Sequence, residues 1–290
     1  MSDPGRHADL FDGLPRDAGA LAKIVQGLLI HQHIAPAYGV TLSNDQQAQS
    51  HVRAVEGILD NIATRDDRPL SAARATHERQ VGVCRHFTLL HVAMLRTHGI
   101  PARARCGFGA YFEKGKYLDH WVTEYWNERR KCWLLFDAQI DDRQRELFRI
   151  EFDTADVSRD QFLVAGDAWQ LCRGGKADPS TFGILDMYGL WFIAGNLARD
   201  VAALNKCCRG TFGAQCVNKT ASWISPSSIG LQLSAASPML TSTNSVRFIG
   251  MSGYACQKPC STPCSGAHRS CNTPSRRSIR SRLLNFSRGS

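Results

Sequence analysis

Apolar side chains cover nearly every side of the segment Cys84–Thr97, whose sequence is CRHFTLLHVAMLRT. A helix with so narrow a polar face is typical of the interior of a domain, so other elements must pack around it. The end of this helix is marked by Gly99, which can take a left-handed conformation, and by Pro101, which cannot continue a helix. The segment therefore predicts a buried central helix.

The hydrophobic period changes from helical to alternating directly after this helix. Residues 102–112 alternate small or apolar side chains with others, which predicts a strand, and Arg103 and Arg105 are expected on its solvated face. Residues 117–126 and 131–138 predict two more strands, joined by a turn at 127–130. The central helix is thus expected to precede an antiparallel meander.

Helical patterns flank this central part of the chain on both sides. Apolar residues at helical spacing predict a first helix over 21–29. Ser43–Gln46 has the sequence of a capping box and is expected to start a second amphipathic helix over 52–62. Residues 184–206 predict one or two closing helices.

A histidine and a carboxylate are expected side by side in the predicted hairpin. If the loop is centred between Glu128 and Arg129 and has an even number of residues, Val122 faces Leu135 and His120 faces Asp137. Directly opposed residues share a face, with Cβ atoms about 4.5–5.5 Å apart. A loop with an odd number of residues would place His120 and Asp137 on opposite faces, so this prediction depends on the register.

Cys84 is the candidate nucleophile for such a pair. A carboxylate that binds one ring nitrogen fixes the tautomer and leaves the other nitrogen to move a proton. Cys84 opens the central helix, where backbone N–H groups and the helix dipole favour a thiolate and can hold an oxyanion. Two structural interpretations stay open, because buried cysteines commonly act as small apolar residues and strand histidines are commonly structural.

Four stretches resemble the core of the transglutaminase-like superfamily, over about residues 79–140. They are Gly82–Cys84, Gly99–Arg103, Asp119–Trp121 and Trp133–Asp137. Their spacing and the chain order Cys, His, Asp are similar to those of bacterial transglutaminase-like domain proteins. The resemblance implies a papain-like α+β fold, in which the nucleophile's helix packs on an antiparallel sheet with flanking helices.

The resemblance also implies a role for each residue of the triad. Cys84 would be the nucleophile, His120 the general base and acid, and Asp137 the group that orients His120. No secure side-chain oxyanion donor is evident. Gln80, four residues before Cys84, is a candidate for this role, but we expect it to be a surface glutamine that caps the loop. We expect no cofactor and no metal ion.

The superfamily contains protein-crosslinking transglutaminases, peptidases, glycan-releasing amidases and domains without demonstrated activity, so the fold does not fix the reaction. The resemblance implies cysteine-dependent acyl chemistry on a protein or peptide amide, by transfer or by hydrolysis. The alternative is a non-catalytic protein-binding domain on the same fold. The reactivity of Cys84 separates the two.

The net charge of +9 is confined to the last part of the chain. Residues up to Lys206 carry 25 basic and 26 acidic side chains, whereas residues 207–290 carry 10 basic and no acidic ones, with 7 of the 11 cysteines. We therefore predict a transglutaminase-like domain over 1–206 and a separate Ser- and Cys-rich basic tail over 207–290. This tail is expected to be disordered or translated out of frame.

The composition of residues 1–206 favours a cytoplasmic protein. Its four cysteines are typical of a reducing compartment, and the first 17 residues lack the apolar run of a secretory signal. No segment approaches the roughly 18 apolar residues that would span a membrane. We expect no membrane partner and no specific nucleic-acid partner, since the basic excess lies in the tail alone, and the sequence leaves the oligomeric state open.

Overall fold

The computed structural model describes residues 1–205, so the predicted tail over 207–290 lies outside the described residues. The helices of the described part are α1 Ala18–Leu28, α2 Asn44–Ala48, α3 Val55–Arg65, α4 Cys84–Thr97, α5 Asp142–Phe148, α6 Ala165–Arg173 and α7 Leu190–Leu204. Its strands are β1 Leu29–His31, β2 Gln80–Gly82, β3 Ala102–Gly109, β4 Tyr117–Asn127, β5 Cys132–Phe136, β6 Phe162–Val164, β7 Phe182–Ile184 and β8 Met187–Tyr188. Within residues 1–205, no helix combines the length and the apolar character needed to cross a membrane.

Helix α4 is the buried central helix that the sequence predicts, and every side chain from His86 to Leu95 is buried. It packs against α1, α3, β3 and β4, and these elements share one apolar core. His91 links α4 to β4 and α1, because its ring hydrogen-bonds to the Thr123 hydroxyl in β4 and to the Ala18 carbonyl in α1, each at 3.0 Å. Burial lowers the pKa of His91 to about 4, so this histidine is a neutral structural residue.

The predicted meander is present as β3, β4 and β5, which pair antiparallel in that order. The sheet is larger than predicted and mixed, because β6 joins β3 antiparallel while β7 joins β4 parallel and carries β8. Strands of two or three residues are too short to show alternation, which is why the sequence did not predict them. Mixed α+β architecture is confirmed, but a purely antiparallel sheet is wrong.

The register of the hairpin differs from the prediction by two residues. Leu135 pairs with Glu124 and not with Val122, and the loop comprises residues 128–131. Its last residue, Lys131, has a left-handed backbone (φ 52°). Strand β5 ends at Phe136, so the predicted direct opposition of His120 and Asp137 is wrong; a shift of two nevertheless keeps them on the same face.

The flanking helices are present with changed boundaries. Ser43 and Gln46 form the predicted capping box, but it caps the five-residue α2, and the longer α3 begins only at Val55. The segment from residue 184 contains the end of β7 and strand β8 before a single helix, α7. The predicted closing helix therefore starts six residues later, at Leu190.

The predicted solvated position of Arg103 and Arg105 is wrong, because both side chains form ion pairs with a buried carboxylate. Glu124 is 2% exposed and accepts hydrogen bonds from Arg103, Arg105 and Arg159 at 2.6–2.7 Å. Arg105 also binds the Asp200 carboxylate of α7 through two nitrogens, at 3.0 and 2.9 Å. Burial raises the pKa of Glu124, but the three guanidinium groups outweigh it and lower the pKa to about 2.

Replacing Glu124 by glutamine is expected to lower the free energy of unfolding by about 3–5 kcal/mol, because its arginine partners lose a buried counter-charge. The matched control is Glu128→Gln in the β4–β5 loop, whose side chain is 74% exposed. That change is expected to lower the free energy of unfolding by about 0–1 kcal/mol, as is usual for surface ion pairs. Urea denaturation of both variants measures the difference, and equal small losses would contradict the account of the network.

Candidate active site

Cys84 is the first residue of α4, and only Val83 separates it from the end of β2. His86 fixes this junction, since its Nδ1 accepts the Val83 N–H at 3.0 Å and its Nε2 donates to the Val52 carbonyl at 2.8 Å. A Cβ on Gly82 would lie 2.9 Å from the His86 Cβ, so the close packing requires glycine there. The first N–H groups of a helix have no intrahelical partner, and Cys84 is partly exposed beside them.

Asp137 is fully buried beside His120, which is itself only 3% exposed. The His120 Nε2 and the Tyr111 hydroxyl donate to the Asp137 Oδ2 at 2.8 and 2.7 Å, and the Gln139 N–H donates to Oδ1 at 3.0 Å. The Asp137 N–H in turn donates to the Thr154 carbonyl at 2.8 Å. Three donors from different parts of the chain therefore hold this carboxylate against the His120 ring.

The charges of the two groups stabilise one another. Burial alone would lower the pKa of His120, but the charge and hydrogen bond of Asp137, with the Cys84 sulfur in hydrogen-bonding reach, raise it to about 10. Burial alone would raise the pKa of Asp137, but His120 and Tyr111 hold it below its ordinary value. The pair is thus an imidazolium and a carboxylate at neutral pH. Because Asp137 occupies Nε2, Nδ1 is the nitrogen left for Cys84.

Aromatic rings enclose His120. The centroids of Phe112, Tyr111 and Phe162 lie 4.8, 6.0 and 6.4 Å from that of the histidine ring. The predicted strand over 102–112 ends at Gly109, and the loop that follows brings Tyr111 and Phe112 against His120. Sequence analysis missed both residues. A strand over 102–112 would point these neighbouring side chains to opposite faces, so the predicted strand could not place both against one histidine.

Gln80 is not the surface residue that the sequence suggested. Its side chain is buried, accepts a hydrogen bond from Arg65 and donates from Nε2 to the Val81 carbonyl at 3.1 Å. The amide is therefore engaged by groups other than Cys84. Of the other cysteines in the described part of the chain, Cys106 and Cys172 are buried, whereas Cys132 is partly exposed.

A comparison with protein-family models finds one match, over residues 36–138, to a model described as the transglutaminase-like superfamily. This match supports the resemblance to the superfamily that the sequence suggested. The transglutaminase-like segment includes Cys84, His120 and Asp137, and it begins well before the resemblance at 79–140, with the short helix Ala35–Tyr38. Neither the curated proteins nor the solved structures yield a match to this chain.

Proposed function

We propose that the chain is a cysteine-dependent acyl enzyme that attacks an amide of a protein or peptide. One observation carries the proposal: the buried His120 is hydrogen-bonded to the fully buried Asp137, and the partly exposed Cys84 is among the groups that raise the pKa of His120. An imidazolium beside a sulfur favours the thiolate, which is the reactive form of cysteine. The match to the transglutaminase-like superfamily supports the same class of chemistry.

In the first half of the reaction, the Cys84 thiolate attacks the amide carbonyl carbon. A C–S bond forms while the carbonyl π electrons move onto oxygen, giving a tetrahedral oxyanion. Collapse of this intermediate breaks the C–N bond, and the leaving nitrogen takes the proton of His120. The products are a free amine and a thioester on Cys84.

In the second half, water or a primary amine attacks the thioester carbonyl. Neutral His120 takes a proton from the attacking group, and the C–S bond breaks to regenerate the thiolate and the imidazolium. Water gives hydrolysis and an amine gives transfer. Asp137 keeps the ring oriented and stabilises its charge throughout, and Tyr111 holds Asp137 in place.

An acyl-enzyme trap tests this proposal. The full chain is mixed with p-nitrophenyl acetate, and peptide mass mapping locates the acetyl group, with Cys84→Ala as the variant and Cys172→Ala as the matched control. We expect acetylation of the Cys84 peptide in the wild type and the control, and none at residue 84 in Cys84→Ala. Added methylamine then shows whether an amine competes with water for the acyl group. If Cys84 is not acetylated at all, the non-catalytic protein-binding domain becomes the better account.

A further inference from the structure

His31 lies next to the strand that delivers Cys84, although 53 positions separate the two in the sequence. Strands β1 and β2 pair in parallel, with His31 opposite Gly82. The Gln32 N–H donates to the Gly82 carbonyl at 2.8 Å and extends this pairing. Since Gly82 and Val83 lead directly into α4, the pairing fixes His31 beside the entry to the helix.

The His31 ring lies on the side of α4 that carries Cys84. It stacks on Phe87, with centroids 6.5 Å apart and planes at 29°. Phe87 is three residues after Cys84, so the two side chains lie on the same helical face. Among the groups whose charges act on the His31 ring are His120 and Asp137 of the candidate site.

The His31 ring is a neutral hydrogen-bond donor. Its Nδ1 accepts the His33 N–H at 3.3 Å, so a neutral ring carries its proton on Nε2. Burial, followed by the neighbouring His33, His120 and His86, lowers the pKa of His31 to about 3. Within residues 1–205, Nε2 makes no hydrogen bond, and the residue as a whole is partly exposed. It therefore has a proton to donate but does not act as a second base at neutral pH.

We propose that the His31 Nε2–H donates to the oxyanion that forms when Cys84 attacks its substrate, with the Cys84 backbone N–H as the second donor. This inference rests on the acyl chemistry proposed above and supplies the side-chain donor that Gln80 does not. A donor positioned in advance at a developing oxyanion typically contributes about 10²–10³-fold to the rate. A neutral imidazole is suited to this role because it gives a hydrogen bond without transferring its proton.

Two substitutions of similar length separate the hydrogen bond from packing. His31→Met fills space against Phe87 but has no donor, whereas His31→Gln keeps an N–H group. Two reactions of Cys84 are measured in each variant: acetylation by p-nitrophenyl acetate, which creates an oxyanion, and alkylation by iodoacetamide, which does not. The control is His33→Ala, which removes an exposed ring but keeps the backbone N–H that His31 accepts.

We expect His31→Met to slow acetylation by about 10²-fold or more, while alkylation stays within about threefold of the wild type. His31→Gln should be acetylated at least tenfold faster than His31→Met. His33→Ala should be acetylated at the wild-type rate. Normal acetylation in His31→Met, or an equal loss of both reactions, would overturn the oxyanion role and leave the acyl chemistry standing. Failure of wild-type Cys84 to be acetylated would instead overturn the proposed function, and this inference with it.

Discussion

Replacing His120 by glutamine is expected to slow acetylation of Cys84 by roughly 10²–10⁴-fold, the usual contribution of a general acid and base. Glutamine can still donate to Asp137, so the buried carboxylate keeps a partner and the fold is expected to persist. It cannot carry the positive charge that favours a thiolate at Cys84. The release of p-nitrophenolate from p-nitrophenyl acetate measures the loss directly.

The matched control for this variant is His77→Gln, which changes an exposed histidine outside the site. It should acetylate Cys84 at the wild-type rate, and the circular dichroism spectra of both variants should match that of the wild type. A His120→Gln protein that folds and acetylates Cys84 as fast as the wild type would remove His120 from the proposed mechanism.

The second large effect concerns stability. Asp137→Ala is expected to lower the free energy of unfolding by about 3–5 kcal/mol, because it leaves the buried His120, Tyr111 and Gln139 donors without their acceptor. Asp137→Asn should cost less, about 1–3 kcal/mol, since an amide oxygen still accepts hydrogen bonds. Asp142→Ala is the control, as its carboxylate is 88% exposed and should contribute less than about 1 kcal/mol.

The pH dependence of this loss has a definite sign. The raised pKa of His120 gives stability that is complete below its unfolded value of 6.5 and disappears as the pH rises through about 10. The lowered pKa of Asp137 gives stability that is present above its unfolded value of 3.8 and disappears as the pH falls below it. The difference between the wild type and Asp137→Ala should therefore be largest between about pH 4 and 6.5 and shrink towards pH 10. A difference that grows from pH 6.5 to 10 would contradict the ion pair.

The parts of the fold that the sequence predicted are those with a strong local pattern. Cys84–Thr97 is apolar almost all round and ends at Gly99 and Pro101, so both its burial and its boundaries follow from the sequence. His120 and Asp137 were expected on one face, and they do meet, although the register is shifted by two residues. The loop has the predicted four residues but lies one position later, and it ends at Lys131, whose left-handed backbone no glycine or asparagine indicated.

The parts that could not be predicted depend on contacts between distant segments. His31 lies beside the residues that lead into α4 only because β1 and β2, each of three residues, pair in parallel. Gln80 is polar, and only the presence of Arg65 beside it explains its burial. Arg105 likewise occupies a position in the alternating pattern that predicts a surface residue. In the structure it is paired with the buried carboxylates of Glu124 and Asp200. Pairing and charge compensation of this kind leave no periodic trace in a sequence.

The central claim is that Cys84 is a nucleophile activated by His120, and its rate of alkylation by iodoacetamide between pH 5 and 9 tests this most directly. Peptide mapping of the full chain assigns a rate to each cysteine. Cys106 and Cys172 serve as internal references, because burial raises the pKa of both thiols. We predict fast labelling of Cys84 near pH 6, far ahead of the references. Labelling of Cys84 that is as slow as theirs at pH 6, and rises only near the ordinary thiol value of about 8.5, would contradict the account.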